Sequence, residues 1–206
     1  MRSTRLLFLL IAAIALLHAA AAHGAGIDMN DPRRALGRED NVRVDAQLVQ
    51  ETVSPGAPIG VTYQVQNLGD EVIALADRVS DASYDEDSRT ITVAIGSEIP
   101  ADGRMPHLVS IAPGQTKVFR TAAVATINAA AVRSSLVAPP RYVQVKVTVL
   151  RDLASFEPLT ERRALSDQLF DHWLESNDTI FLNSIPVQWS ARPRTAVAEA
   201  DQRGTY

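Results

Sequence analysis

Three histidines outside the N-terminal apolar segment, His23, His107 and His172, are the side chains best suited to hold a metal or move a proton. If His23 opens the processed chain, its free amino group and imidazole could chelate copper with His107 or His172 as a second nitrogen donor, and copper favours such ligands. Cleavage after Gly24 or Ala25 would remove that chelate. A second cluster, Asp77, Asp81, Asp85, Glu86 and Asp87, offers oxygens of the kind calcium takes. Its spacing matches no EF-hand loop, and Tyr84–Thr90 reads more simply as a solvated hairpin turn. On a predicted helix, Asp171, His172 and Glu175 bring an imidazole and a carboxylate within one turn, at i and i+3. With Trp173 and Leu174 between them, the reading favoured here is a helix surface beside a core stripe.

Covalent chemistry has less support. The chain has no cysteine, hence no thiol nucleophile. It also lacks G-x-S-x-G, H-E-x-x-H and P-loop patterns. His107 or His172 could serve a serine, but nothing marks one. Trp173, Trp189, Phe170 and Phe181 could form a sugar platform or a partner hot spot, yet at helical and strand spacing they read as core.

The elements that would position these groups follow from periodicity. Residues 1–22 run from a basic start (Arg2, Arg5) through the apolar Leu6–Leu17 to the small residues Ala19–Ala22, the order of a cleavable signal peptide. The apolar run is about twelve residues, against the roughly 20 that span a bilayer as a helix. A periplasmic or secreted protein without stable membrane insertion is therefore expected. Without cysteine there is neither a lipid anchor at the cleavage site nor a disulfide staple. The formal charge of −4, more negative once Arg2 and Arg5 are removed, gives no reason to expect nucleic acid.

Residues 23–40 read as a flexible leader and 191–206 as a disordered tail, with one domain over 41–190. Within it, Val42–Leu48, Ile59–Val65, Thr90–Ile95 and Arg141–Leu150 alternate with the period of a half-buried strand. Shorter strands are expected at Glu71–Ala76, Leu108–Ile111, Thr116–Thr121 and Thr179–Trp189. The Ala-rich segment 122–138 suits either helix or strand. Leu165, Leu169 and Trp173, joined by Phe170 and Leu174, form a helical stripe over 160–175 with Thr160 as its N-cap. Short strands between Pro-Gly turns, with one late helix, predict a mainly β fold, a single antiparallel sandwich.

The segments Val53-Ser54-Pro55-Gly56-Ala57-Pro58, Val61 to Gly69 and Ile111-Ala112-Pro113-Gly114-Gln115 resemble bacterial immunoglobulin-like modules of the fibronectin-like or adhesion-related kind. The resemblance spans about residues 42–150 and implies an immunoglobulin-like sandwich. The Ala-rich segment and the helix depart from that pattern. The function expected is a non-enzymatic exported module that binds another envelope or extracellular protein, with a periplasmic copper protein using His23 and His107 as the alternative.

Overall fold

A computed structural model describes residues 27–28, 30–78, 80–96, 103–159 and 164–191. The expected signal peptide, His23, Thr160 and the tail from residue 192 lie outside the described residues.

The strongest alternation in the sequence becomes the centre of two sheets. In one, β1 (Arg34–Glu39), β2 (Val42–Leu48), β4 (Ile59–Asn67) and β9 (Thr116–Ala123) lie in the order β1-β2-β4-β9, all antiparallel. In the other, β6 (Ser80–Asp85), β7 (Thr90–Ile95), β10 (Tyr142–Leu150), β5 (Ile73–Leu75) and β8 (Val109–Ile111) follow in that order, and β11 (Asn177–Phe181) and β12 (Ile185–Pro186) also pair with β10. A parallel pair, β3 (Thr52–Val53) and β13 (Gln188–Trp189), completes the strands. Val44, Val61, Tyr63, Val65, Ile91, Val93, Val143, Val145 and Val147 are all but inaccessible and belong to one cluster fed by both sheets.

The expectation of a purely antiparallel fold fails at β7 and β10, which run parallel from Thr90 and Tyr142 to Ile95 and Val147. Parallel neighbours need a long connection, and residues 96–141 supply one. Alternation reports which face a residue takes, not the direction of the neighbouring strand.

The leader reading fails for residues 34–39, which form β1. Its inward positions are Ala35 and Gly37, small because β11 passes close by. A Cβ on Gly37 would lie 2.7 Å from the Phe181 carbonyl oxygen and 3.0 Å from Ile180 Cγ2. At this seam the Leu36 amide donates to Asn183 Oδ1 (2.7 Å), and the Asn183 amide donates to the Leu36 carbonyl (3.2 Å). On the opposite flank, Ser80 Oγ donates to the Ala122 carbonyl (3.2 Å). The buried Asn67 links the layers: its Nδ2 donates to the carbonyls of Glu71 (2.7 Å) and Ile111 (3.0 Å), and its Oδ1 accepts from the Gly69 amide.

The Ala-rich segment divides. Ala122 and Ala123 end β9, and α1 (Ala129–Arg133) follows, N-capped by Asn128 Oδ1 at 3.1 Å from the amides of Ala130 and Ala131. The late helix, α2 (Asp167–Glu175), starts later than its pattern predicted. Its N-cap is Ser166, whose Oγ accepts from the Leu169 amide (3.2 Å). The apolar stripe is also narrower. Trp173 is buried and Leu165 and Leu169 pack beside it, whereas Phe170 and Leu174 are exposed. Trp173 meets Ala74, Ala76, Met105, Leu108, Leu150 and Phe156 in a second, smaller cluster. Ala74 and Leu150 pair across β5 and β10, so this cluster covers the side of that sheet turned away from the main core.

Candidate functional site

The register of β5 on β8, with Leu75 opposite Val109, places Asp77 opposite His107 just beyond the strand ends. Asp77 Oδ1 and His107 Nδ1 are 3.9 Å apart, too far for a direct hydrogen bond. Both atoms are shielded from solvent without a hydrogen-bond partner among the described residues, and so is the hydroxyl of Tyr63. Tyr63 projects from β4 into the core, and its ring stacks on Phe119 with centroids 5.2 Å apart. Burial pushes the Tyr63 phenol well above its usual range, and the Asp77 charge adds to the rise. The phenol therefore stays protonated, a donor rather than a nucleophile.

An unbonded hydroxyl in a core costs about 1–3 kcal/mol. Tyr63→Phe should accordingly leave stability unchanged or raise it by about 1 kcal/mol in urea denaturation. A loss above 1 kcal/mol would show that the hydroxyl is bonded in solution.

His172 stands on α2 at a cleft of about 530 Å³ that Asp171 and Glu175 also line, so the structure brings together the three residues singled out by their helical spacing. The His172 Nε2 lies 3.2 Å from Ser176 Oγ and 3.4 Å from Asp152 Oδ2, and the ring tilts against Phe156 with centroids 5.3 Å apart. In a hydrolase triad the serine and the carboxylate contact opposite nitrogens of the imidazole. Here both contact the same nitrogen, which leaves no relay through the ring.

The acidic stretch is dispersed. Asp77 faces His107, while Asp81 and Asp85 sit exposed on β6. Asp85 accepts from Ser88 Oγ (2.6 Å) and from the Asp87 amide (3.1 Å). These bonds, Ser88 first, hold its carboxyl below the usual range, and they tie it into the β6–β7 turn. Among the described residues, no group of three His, Asp or Glu side chains is placed to hold a metal ion. Of the aromatics expected in the core, Trp173 is buried and Trp189 packs against the main cluster, whereas Phe170 and Phe181 are exposed.

Residue-by-residue reading missed the outer face of the β1-β2-β4-β9 sheet. The register sets Leu36, Asp45, Gln64 and Val118 in one row, with Arg38, Arg43, Gln66 and Thr116 in the next. Asp45 is only 1% exposed. It pairs with Arg34, meets Arg43 Nε at 3.1 Å, and accepts from Gln64 Nε2 at 3.0 Å. Burial alone would raise its pKa. The hydrogen bonds from Gln64, Arg34 and Arg43 outweigh that and hold the carboxyl below its usual range. Around this anchored group Leu36 is 46% and Val118 51% exposed, and Arg38 and Arg120 face solvent. The sequence signal for this face is alternation within each strand, which sets Arg34, Leu36 and Arg38 on one side of β1 and Arg43 and Asp45 on one side of β2, legible as one face only once the strands are aligned. The chain matches no protein-family model, no curated protein and no solved structure.

Proposed function

We propose that the protein is an exported, non-catalytic β-sandwich module that binds another envelope or extracellular protein through the outer face of the β1-β2-β4-β9 sheet. The observation that carries this reading is the row on which exposed Leu36 and Val118 flank a buried Asp45 that fixes Arg34 and Arg43. Apolar groups ringed by held guanidinium groups suit an interface, where arginine is enriched and fixed side chains lose less entropy on binding. A basic face on a chain of net charge −4 selects a partner whose contact surface carries carboxylates. Export is supported by the order of residues 1–22, and a non-catalytic role by the arrangement at His172.

Crosslinking of the processed protein in envelope extract, with and without Leu36→Glu and Arg38→Glu, tests the reading. One discrete adduct is expected, weakened by salt and lost in both variants, while Asp81→Lys retains it. An adduct unaffected by the two face variants, or the absence of any adduct, would overturn it.

A further inference from the structure

The open edge of the β1-β2-β4-β9 sheet can be assigned from its hydrogen bonds. The Asn67 amide donates to the Gln115 carbonyl (3.0 Å), and the register continues through Val65–Lys117, Tyr63–Phe119 and Val61–Thr121. The backbone groups of the odd-numbered residues of β9 therefore turn toward β4. Even-numbered residues turn away, as the Ala122 carbonyl shows by accepting Ser80 Oγ from the other side. The amides and carbonyls of Thr116, Val118 and Arg120 thus point out of the sheet. No backbone hydrogen bond beyond the strand pairings reaches them among the described residues.

Other edges are closed or guarded in the ways that prevent strand addition. At β1, Asn183 bonds both backbone groups of Leu36. β6 carries exposed Asp81 and Asp85. β8 is three residues long, and its Ser110 carbonyl already accepts Lys117 Nζ at 2.7 Å.

We propose that two copies of the chain associate through β9, the strands antiparallel about a two-fold axis at Val118, so that their four-stranded sheets join into one. In this register Val118 meets Val118 of the second copy, and Thr116 meets Arg120. Every outward amide and carbonyl of these three residues then has a partner. On the inner side Lys117 stands opposite Phe119. No like charges oppose each other, a pairing that would destabilise the ladder, and the exposed Val118 side chain is covered. An isologous contact of this kind closes at two copies. The dimer shares Val118 with the proposed partner-binding face but uses neither Leu36 nor Arg38, so Leu36→Glu and Arg38→Glu should leave it intact and the failure of one proposal is distinguishable from that of the other.

Sedimentation equilibrium of the processed chain over rising concentration is the test, with a monomer–dimer equilibrium as the expected result. Val118→Pro removes only an outward amide, at an edge position where proline is tolerated, and should shift the protein to monomer, with the melting temperature that the wild type shows when diluted to monomer. Val118→Lys places two ammonium groups on the axis and should do the same. In this cysteine-free chain, Val118→Cys should give a covalent dimer on mild oxidation. A monomer at every concentration, or a dimer indifferent to both Val118→Pro and Val118→Lys, would overturn the proposal.

Discussion

Replacing Trp173 with alanine is expected to detach α2 from the sheet while leaving the main core folded. Trp173 is 1% exposed and meets Phe156 edge-on, with centroids 5.9 Å apart and planes at 86°. Truncating a buried tryptophan costs about 3–5 kcal/mol. That loss falls on a cluster of few residues, separate from the one that joins the sheets. The Asn177 side-chain amide donates to the Trp173 backbone carbonyl (2.8 Å), a bond that alanine keeps, so the loss is confined to side-chain packing. Hydrogen exchange is the appropriate measurement, since it reports opening segment by segment. Amides of 167–176 should lose protection, whereas those of β2, β4 and β10 keep theirs. Uniform loss of protection would show that the two clusters unfold as one unit.

The second large effect is expected at Asp45. Asp45→Asn removes the charge that Arg34 and Arg43 surround, leaving two guanidinium groups close together with no carboxylate between them. Breaking a buried ion pair on one side typically costs 3–5 kcal/mol. Because Arg43 is partly exposed, a loss of about 3 kcal/mol is the reasonable expectation. Acid distinguishes this account from simple loss of packing. A carboxyl whose folded pKa lies below its unfolded value near 3.9 contributes stability that is present above the unfolded value and lost as pH falls through the folded one. Wild type and Asp45→Asn should therefore differ most at neutral pH and converge below about pH 4. The difference between the two proteins is the quantity to follow, because Asp31, held low chiefly by its hydrogen bond from Arg33, and Asp85, held low chiefly by Ser88, shift in the same direction in both. A gap that persisted undiminished into acid would mean that Asp45 acts through shape rather than charge.

The strands most legible in the sequence are those with one buried face carrying branched side chains. In β2, β4, β7 and β10, valine, isoleucine, leucine and tyrosine supply most of the inward positions, and the alternation predicts them. β1 was illegible for the opposite reason. The close approach of β11 demands Ala35 and Gly37 inside, so its larger residues, Arg34, Leu36 and Arg38, lie outside and the apolar period disappears. The helix pattern suggested too early a start and too wide a stripe, because Phe170 and Leu174 take helical spacing yet stay exposed. Sites followed the same division. His107 and Asp77 were each noticed separately, but only the β5–β8 register sets them face to face. The arginine face required the alignment of strands distant in the sequence.

The seam between Leu36 and Asn183 also has a consequence in time. Its hydrogen bond joins residues 147 positions apart, and β10, which accepts strands on both of its edges, is late in the chain. Closing such a loop costs entropy that local contacts cannot offset, and chains dominated by distant contacts fold slowly. While the polypeptide is being delivered in order from its N-terminus, β1, β2 and β4 precede the strands that complete them. Until Asn183 arrives, the outward amide and carbonyl of Leu36 lack the partner they have in the fold. The molecule therefore remains open for most of its synthesis, which would suit the export proposed above.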